Sequence, residues 1–249
     1  MFKVTMFNPC IIIPVYDHEA PLPRIVERTQ TFGLPCLLVD DGSQESCAAV
    51  MRGLASRYPR VRYLRHETNR GKGRAVKTGL LAARQQGYSH ALQIDADGQH
   101  DMGDLGLFLD TARANPQAMV IGQAIFDDSI PKLRFYARHL THACVWVNTL
   151  SLHIGDAMCG FRVYPVDTCA RLIETVSLGD RMEFDVEILI RLHWLDVPVI
   201  SIPTKVVYPQ DGVSHFRLWE DNARLTLMQI RMFLGLLWHL PGLLLKAIR

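Results

Sequence analysis

The 249-residue chain has no run of about 18 or more apolar residues, so no segment is expected to cross a bilayer unaided. It also has little excess charge. The 27 basic and 25 acidic side chains leave a formal net charge of +2, which announces no polyanion-binding surface and sets nucleic acid aside as a partner. Its six cysteines, Cys10, Cys36, Cys47, Cys144, Cys159 and Cys169, form no C-x-x-C pair and have no histidine at zinc spacing. That pattern excludes a zinc finger and reads as reduced, mostly buried thiols. Residues 1–9 hold no apolar stretch long enough for an export signal, so the expectation is a cytoplasmic chain. What is plentiful is apolar side chain, 49% of residues against 21% charged, enough to bury one sizeable core without a second domain.

The segment around which the chain is organised is His90-Ala91-Leu92-Gln93-Ile94-Asp95-Ala96-Asp97-Gly98-Gln99-His100-Asp101. Apolar residues run up to Asp95 and stop, so a buried strand ends in two carboxylates at i and i+2, and Gly98 turns the chain away. Two carboxylates at a strand's mouth repel each other unless a cation is shared between them, and a hard divalent ion such as Mg²⁺ or Mn²⁺ meets that need with oxygen ligands. A plain turn, with Asp95 or Asp97 capping the next helix, is the competing reading.

Cys10-Ile11-Ile12-Ile13-Pro14-Val15-Tyr16 reads as a strand buried on both faces, followed by a helix over 20–31. Residues 35–43 form a second apolar run that ends in Asp40-Asp41-Gly42-Ser43, 44–57 have helical spacing, and 61–64 read as a third strand. This β-α-β-α-β pattern implies a parallel sheet with right-handed crossovers. Asn69-Arg70-Gly71-Lys72-Gly73-Arg74 then opens a helix to about Gln86. Its glycines and cations suit an anion at a helix N-terminus, and a solvated basic helix start is the alternative. It is neither a P-loop nor a dinucleotide fingerprint, lacking the required Ser/Thr after the lysine and the third glycine. A helix over 101–114 and a strand over 118–122 complete the half. Open sheets bind ligands beyond the carboxyl ends of their strands, and here those ends carry Tyr16, Asp40, Asp41, Asp95 and Asp97. That convergence favours a metal-nucleotide site.

Five segments together, Ile13-Pro14-Val15-Tyr16, Leu38-Val39-Asp40-Asp41-Gly42-Ser43, Asn69-Arg70-Gly71-Lys72-Gly73, Asp95-Ala96-Asp97-Gly98-Gln99 and Asp156-Ala157-Met158-Cys159-Gly160-Phe161-Arg162-Val163-Tyr164, resemble in content and order the motifs of family 2 glycosyltransferases. The likeness is nearest to the branch that acts on dolichyl or polyprenyl phosphate and spans about residues 8–215. It implies an α/β GT-A fold, a mostly parallel central sheet flanked by helices, and inverting sugar transfer from a UDP- or GDP-sugar with Mg²⁺ or Mn²⁺ on the donor's diphosphate. By the same resemblance, Pro14, Val15 and Tyr16 would line the nucleoside pocket, and Asp41, with Asp40, would contact the base or ribose. Gly71 and Lys72 would lie near the nucleotide. Asp95 and Asp97 would hold the metal, with Ala96 between them and Gln99 close by. Gly160 and Arg162 would face the sugar or the acceptor phosphate. The family usually has Asn-Glu after the tyrosine, whereas this chain has Asp17-His18 and only then Glu19.

In the second half, Arg181 to Leu192 read as a loop entering an amphipathic helix, with Asp185 at the place of the acid that many relatives use as base. Capping of that helix is the competing role. An acceptor hydroxyl needs such a base, whereas a lipid phosphate is already ionised near neutral pH. Phe184 and Ile188 read as core. His215, in the loop 208–217, is a candidate third metal ligand by analogy with other GT-A enzymes, against the alternative of a surface histidine. Residues 197–203 read as an edge strand. The expected organisation is a GT-A domain over 1–216 and an amphipathic, apolar helical tail over 217–249. The tail's arginines, Trp238 and leucines suit the plane of a membrane interface, with packing on the domain as the alternative. The function expected is therefore a metal-dependent glycosyltransferase, peripheral on the cytoplasmic face of the inner membrane, with a lipid-linked or membrane-bound acceptor. Its rivals are a non-catalytic nucleotide-sugar-binding or scaffold protein and a sugar-1-phosphate nucleotidyltransferase. The latter usually begins with a glycine- and arginine-rich loop where this chain has Pro14-Val15-Tyr16-Asp17-His18.

Overall fold

A computed structural model describes residues 6–126, 132–206 and 217–247. Along the chain run β1 (Pro9–Val15), α1 (Leu22–Gln30), β2 (Cys36–Asp40), α2 (Glu45–Arg57), β3 (Val61–Arg65), α3 (Lys72–Gln85), β4 (His90–Gln93), α4 (Leu105–Ala114) and β5 (Met119–Phe126). Then follow α5 (Lys132–Thr149), β6 (Arg162–Pro165), α6 (Val166–Thr175), α7 (Phe184–Trp194), β7 (Val199–Val206) and α8 (Leu218–Ala247). Their order in the sheet is β3-β2-β1-β4-β6-β5-β7. Among the described residues β6 is the one strand that runs against the rest, antiparallel to both β4 and β5.

Every residue of β1 and β2 is buried, because helices cover both faces of the sheet. Ile11, Ile13 and Val15 point into one core with Leu22, Met51 and Phe108. Cys10 and Ile12 point into the other, with Val76, Leu80, Ile188 and Met232. The alternation along one strand thus feeds two apolar layers. The three cysteines Cys10, Cys36 and Cys159 are buried thiols, and burial pushes Cys36 and Cys159 up to about 12, so neither is a nucleophile near neutral pH.

The chain winds outward from β1 to β2 and β3, then returns through α3 to place β4 on β1's other side. That reversal makes the carboxyl ends of β1 and β4 a topological switch point, the place where an open α/β sheet usually has its ligand crevice. Because β6 is antiparallel, its first residue Arg162 pairs with Gln93, the last residue of β4. The segment before β6 is thereby delivered to the same crevice.

The expected helices and strands of the first 126 residues are present with small boundary shifts, while α5, β6 and α6 lie outside the elements expected from the pattern. β7 is the expected edge strand and, among the strands of the described residues, pairs with β5 alone. The tail forms one helix that continues through Pro241. One stripe of it, Met228, Met232, Leu236 and Leu243, is buried in the core shared with α7. Burying four such side chains contributes on the order of 6–12 kcal/mol before chain entropy is counted. Arg231 adds an ion pair to Glu187 of α7 at 2.8 Å, where Glu187 is wholly buried and also paired with Arg191. The opposite stripe of α8, with Leu227, Ile230, Leu234, Leu237 and Trp238, is exposed.

Candidate functional site

At the carboxyl end of β4 the apolar run gives way to Asp95, whose Oδ2 lies 2.8 Å from Lys72 Nζ. The same ammonium lies 3.0 Å from Asp185 Oδ2. Three segments far apart in the chain meet there: the end of β4, the first residue of α3 and the first turn of α7. Burial would lower the pKa of Lys72, but the charges of Asp185 and Asp95 outweigh it and hold the lysine above its ordinary value. Burial likewise pushes Asp95 up, and the charge of Lys72 together with the neighbouring His100 more than reverses it, leaving the carboxyl well below the usual range. One ammonium is thus held between two carboxylates.

The loop before α3 is shaped by Asp41. Its carboxylate accepts the backbone N–H of Arg70 at 3.0 Å and of Gly71 at 2.7 Å, donors that a helix start would otherwise leave open. His66 lies 2.7 Å from the same carboxylate and 2.9 Å from the Thr78 hydroxyl. Gly71 has φ +104°, and a side chain there would run into Arg181 and the carbonyl of Asp180, so glycine is required at this position. Asp180 in turn pairs with Arg74 at 3.1 Å and with Lys77 at 2.7 Å. Two of the cations near the start of α3 thus dock the 178–183 loop, and Lys72 serves the crevice.

Several sequence expectations change place. Asp40 and Asp41, expected against the base or ribose, are 0% and 2% exposed. Asp40 accepts the Ser43 amide at 2.8 Å and the Tyr63 hydroxyl at 2.6 Å, and both acids shape loops. Pro14 and Val15 are core residues of β1, because a strand covered on both faces has no side free for a ligand; of that trio only Tyr16 is part-exposed. Arg162, expected against the sugar or acceptor phosphate, is wholly buried. Its guanidinium donates to the carbonyls of Cys159 at 2.5 Å, Asp185 at 2.6 Å and Ala157 at 2.7 Å. It fastens the 157–159 turn to the start of α7 and so positions Asp185 from behind.

Other expectations meet in the crevice. Gly160 lies under Asp95, and a Cβ there would collide with its carboxylate. Ala96 is buried. Asp97 accepts the Gln99 amide at 3.0 Å across the turn, and its side chain remains part-exposed. Asp185 does not cap α7: the cap position is Glu183, without a side-chain cap bond, and the Asp185 side chain turns to Lys72 instead. Its Oδ1 is buried without a hydrogen-bond partner, 3.8 Å from Arg162. Phe184 and Ile188 are core, as expected. His215 lies outside the described residues.

Residues 10–174 match the model of the family described as Glycosyl transferase family 2. The chain belongs to that family. Among curated family members, a dolichyl-phosphate beta-glucosyltransferase of Trichomonas vaginalis is 30% identical over 81% of this chain and 68% of its own length. The dolichyl-phosphate beta-glucosyltransferase of Dictyostelium discoideum is 28% identical over 77% of this chain and 64% of its own. The chain thus spans about two thirds of the length of these relatives. A solved mannosyltransferase, PcManGT from Pyrobaculum calidifontis in complex with GDP-Man and Mn²⁺, superposes with a TM-score of 0.56 at 13% identity, over 95% of this chain and 72% of that one. The fold of this family 2 chain is accordingly the GT-A glycosyltransferase fold.

Two residues beside this family 2 site escaped the motif reading. Asp156, quoted only as part of a motif, is 2% exposed and accepts the amides of Met158 at 2.8 Å and Cys159 at 3.0 Å. With Arg138 and His142 against it, it fixes the turn that leads to Gly160. The signal was an Asx turn before a glycine. His100 is the other, and its position three residues beyond Asp97 was the available signal.

Proposed function

We propose that the protein transfers a sugar, with inversion, from a UDP- or GDP-sugar to a polyprenyl-type lipid phosphate at a membrane surface, with Mg²⁺ or Mn²⁺ on the donor. The observation that carries the reading is the Lys72 bridge between Asp95 and Asp185 at the mouth of β4. A lysine held by two carboxylates beyond the carboxyl end of β4 suits the diphosphate of such a donor.

The donor set fits a hard divalent ion. Asp95 and Asp97 offer carboxylate oxygens at the strand end, and Asp95 already takes a cation. Among the described residues no group of three His, Cys, Asp or Glu is placed to hold an ion, so an ion on Asp95 and Asp97 would take its remaining ligands from phosphate and water. Once bound, such an ion supplies Lewis-acid charge to the leaving diphosphate. Lys72, held by two acids, is preset to meet the phosphates as well. Asp41 keeps the Arg70 and Gly71 amides and the start of α3 in place behind it. Asp185, with one oxygen on Lys72 and the other 3.8 Å from Arg162 without a hydrogen bond, is the group that takes a proton from an acceptor hydroxyl. Toward a phosphate acceptor, already ionised, its work reduces to holding Lys72.

The lipid acceptor rests on two supports: the named activity of the relatives and the exposed stripe of α8. Leu234, Leu237 and Trp238 are 65%, 69% and 86% exposed, and no helix among the described residues is long and apolar enough to cross a membrane. Such a stripe lies in the interface plane, which brings the crevice to a membrane-borne phosphate on the cytoplasmic face. The test is transfer from radiolabelled UDP-glucose, UDP-N-acetylglucosamine or GDP-mannose to dolichyl or undecaprenyl phosphate with Mn²⁺ or Mg²⁺. A β-linked lipid-phosphate sugar from an α-linked donor supports the reading. Donor binding without turnover on any lipid phosphate overturns it in favour of a scaffold.

A further inference from the structure

The His100 side chain is buried beside the site, facing Asp95. Its side chain is 6% exposed, and neither ring nitrogen has a hydrogen-bond partner. A buried imidazole left without partners costs about 1–3 kcal/mol, yet the ring is held firmly. It stacks on Phe161 at 5.3 Å and 22°, and its backbone bridges to Val206. Nε2 points at Asp95 Oδ2 across 3.6 Å.

That separation is too long for a hydrogen bond. It is the separation of two ligands on one ion: with bonds of roughly 2.1 Å and an angle of about 90–120°, ligand atoms stand ~3.0–3.6 Å apart. We propose that His100 gives Nε2 to the divalent ion carried by the donor's diphosphate, sharing that ion with Asp95. This rests on the metal-dependent reading above and adds a nitrogen to a ligand set otherwise made of oxygen. An ion on Asp95 Oδ2 displaces the Lys72 ammonium, which keeps its second partner in Asp185, 3.0 Å away. Phe161 fixes the imidazole plane in advance, so the site reorganises little at His100.

The experiment is pulsed electron paramagnetic resonance of Mn²⁺ bound to the full chain with UDP or with GDP. The expected result is a directly coordinated nitrogen in the wild type, whose ¹⁴N modulation changes to the ¹⁵N pattern when the protein is labelled with ¹⁵N-histidine. His100→Gln removes the signal and weakens Mn²⁺ binding about tenfold or more, since even loss of a residue behind a metal ligand costs 10–100-fold. His215→Ala leaves the signal in place. Mn²⁺ binding without nitrogen coupling in the wild type overturns the assignment while leaving the transferase reading intact. So does a coupling that survives His100→Gln and disappears in His215→Ala. Absence of Mn²⁺ binding with either nucleotide overturns both. The isotope substitution leaves the side chain unchanged, so a histidine ligand is read even if His100→Gln fails to fold, and His215→Ala then separates the two candidates.

Discussion

Replacing Arg162 by methionine separates a positioning residue from a substrate contact. The guanidinium, wholly buried, donates to three carbonyls at 2.5–2.7 Å, and methionine fills much of the volume while offering no donor. Hydrogen bonds from a charged group contribute about 1.5–3 kcal/mol each, and the stranded carbonyls bear their own desolvation cost. Relief of the buried charge offsets part of this, leaving a loss of roughly 3–6 kcal/mol against a total stability on the order of 5–15 kcal/mol. At about 2–4 °C per kcal/mol for a chain of this size, the melting midpoint falls by roughly 10–20 °C. Urea unfolding followed by circular dichroism, with donor binding measured well below the midpoint, is the assay. Arg162→Lys should fall between the two, because an ammonium reaches fewer of the three carbonyls. A variant that melts within a few degrees of the wild type yet has lost transfer would refute the positioning role and return Arg162 to the substrate.

Asp97→Ala is expected to abolish Mn²⁺-dependent donor binding, read by calorimetry, while shifting the melting midpoint by only a few degrees, since Asp97 is part-exposed and loses one amide contact. Acid should destabilise the fold through Asp156. Burial pushes its carboxyl up, but His142 and Arg138 outweigh burial and hold it below the usual range. The unfolded carboxyl, near pH 4, then binds the proton first, so this stability is complete above that value and is lost as pH falls through the lower folded one. Asp156→Asn should flatten the acid limb of a urea-midpoint profile between about pH 5 and 2, and an unchanged slope would contradict it. Trp238→Ser with Leu234→Ser should reduce sedimentation with anionic liposomes at least tenfold and leave the melting midpoint nearly unchanged, because both side chains are exposed. Equal sedimentation would remove α8 as the docking face.

The unbroken apolar runs of β1 and β2, the helical spacing between them and the break after Ile94 determined a parallel sheet with acids at its carboxyl ends, because strands covered on both faces leave no other pattern. Motif order likewise carried the family. What tertiary structure decided was the division of labour among similar residues. Asp41 and Asp95 both end apolar runs, yet one meets backbone amides at the start of α3 and the other an ammonium. A four-residue antiparallel strand gives no periodicity of its own, and only its pairing with β4 brings Arg162 behind Asp185 and Gly160 beneath Asp95. A carboxylate takes whichever donor the packed chain brings within about 3 Å, and that partner arrives from dozens of residues away.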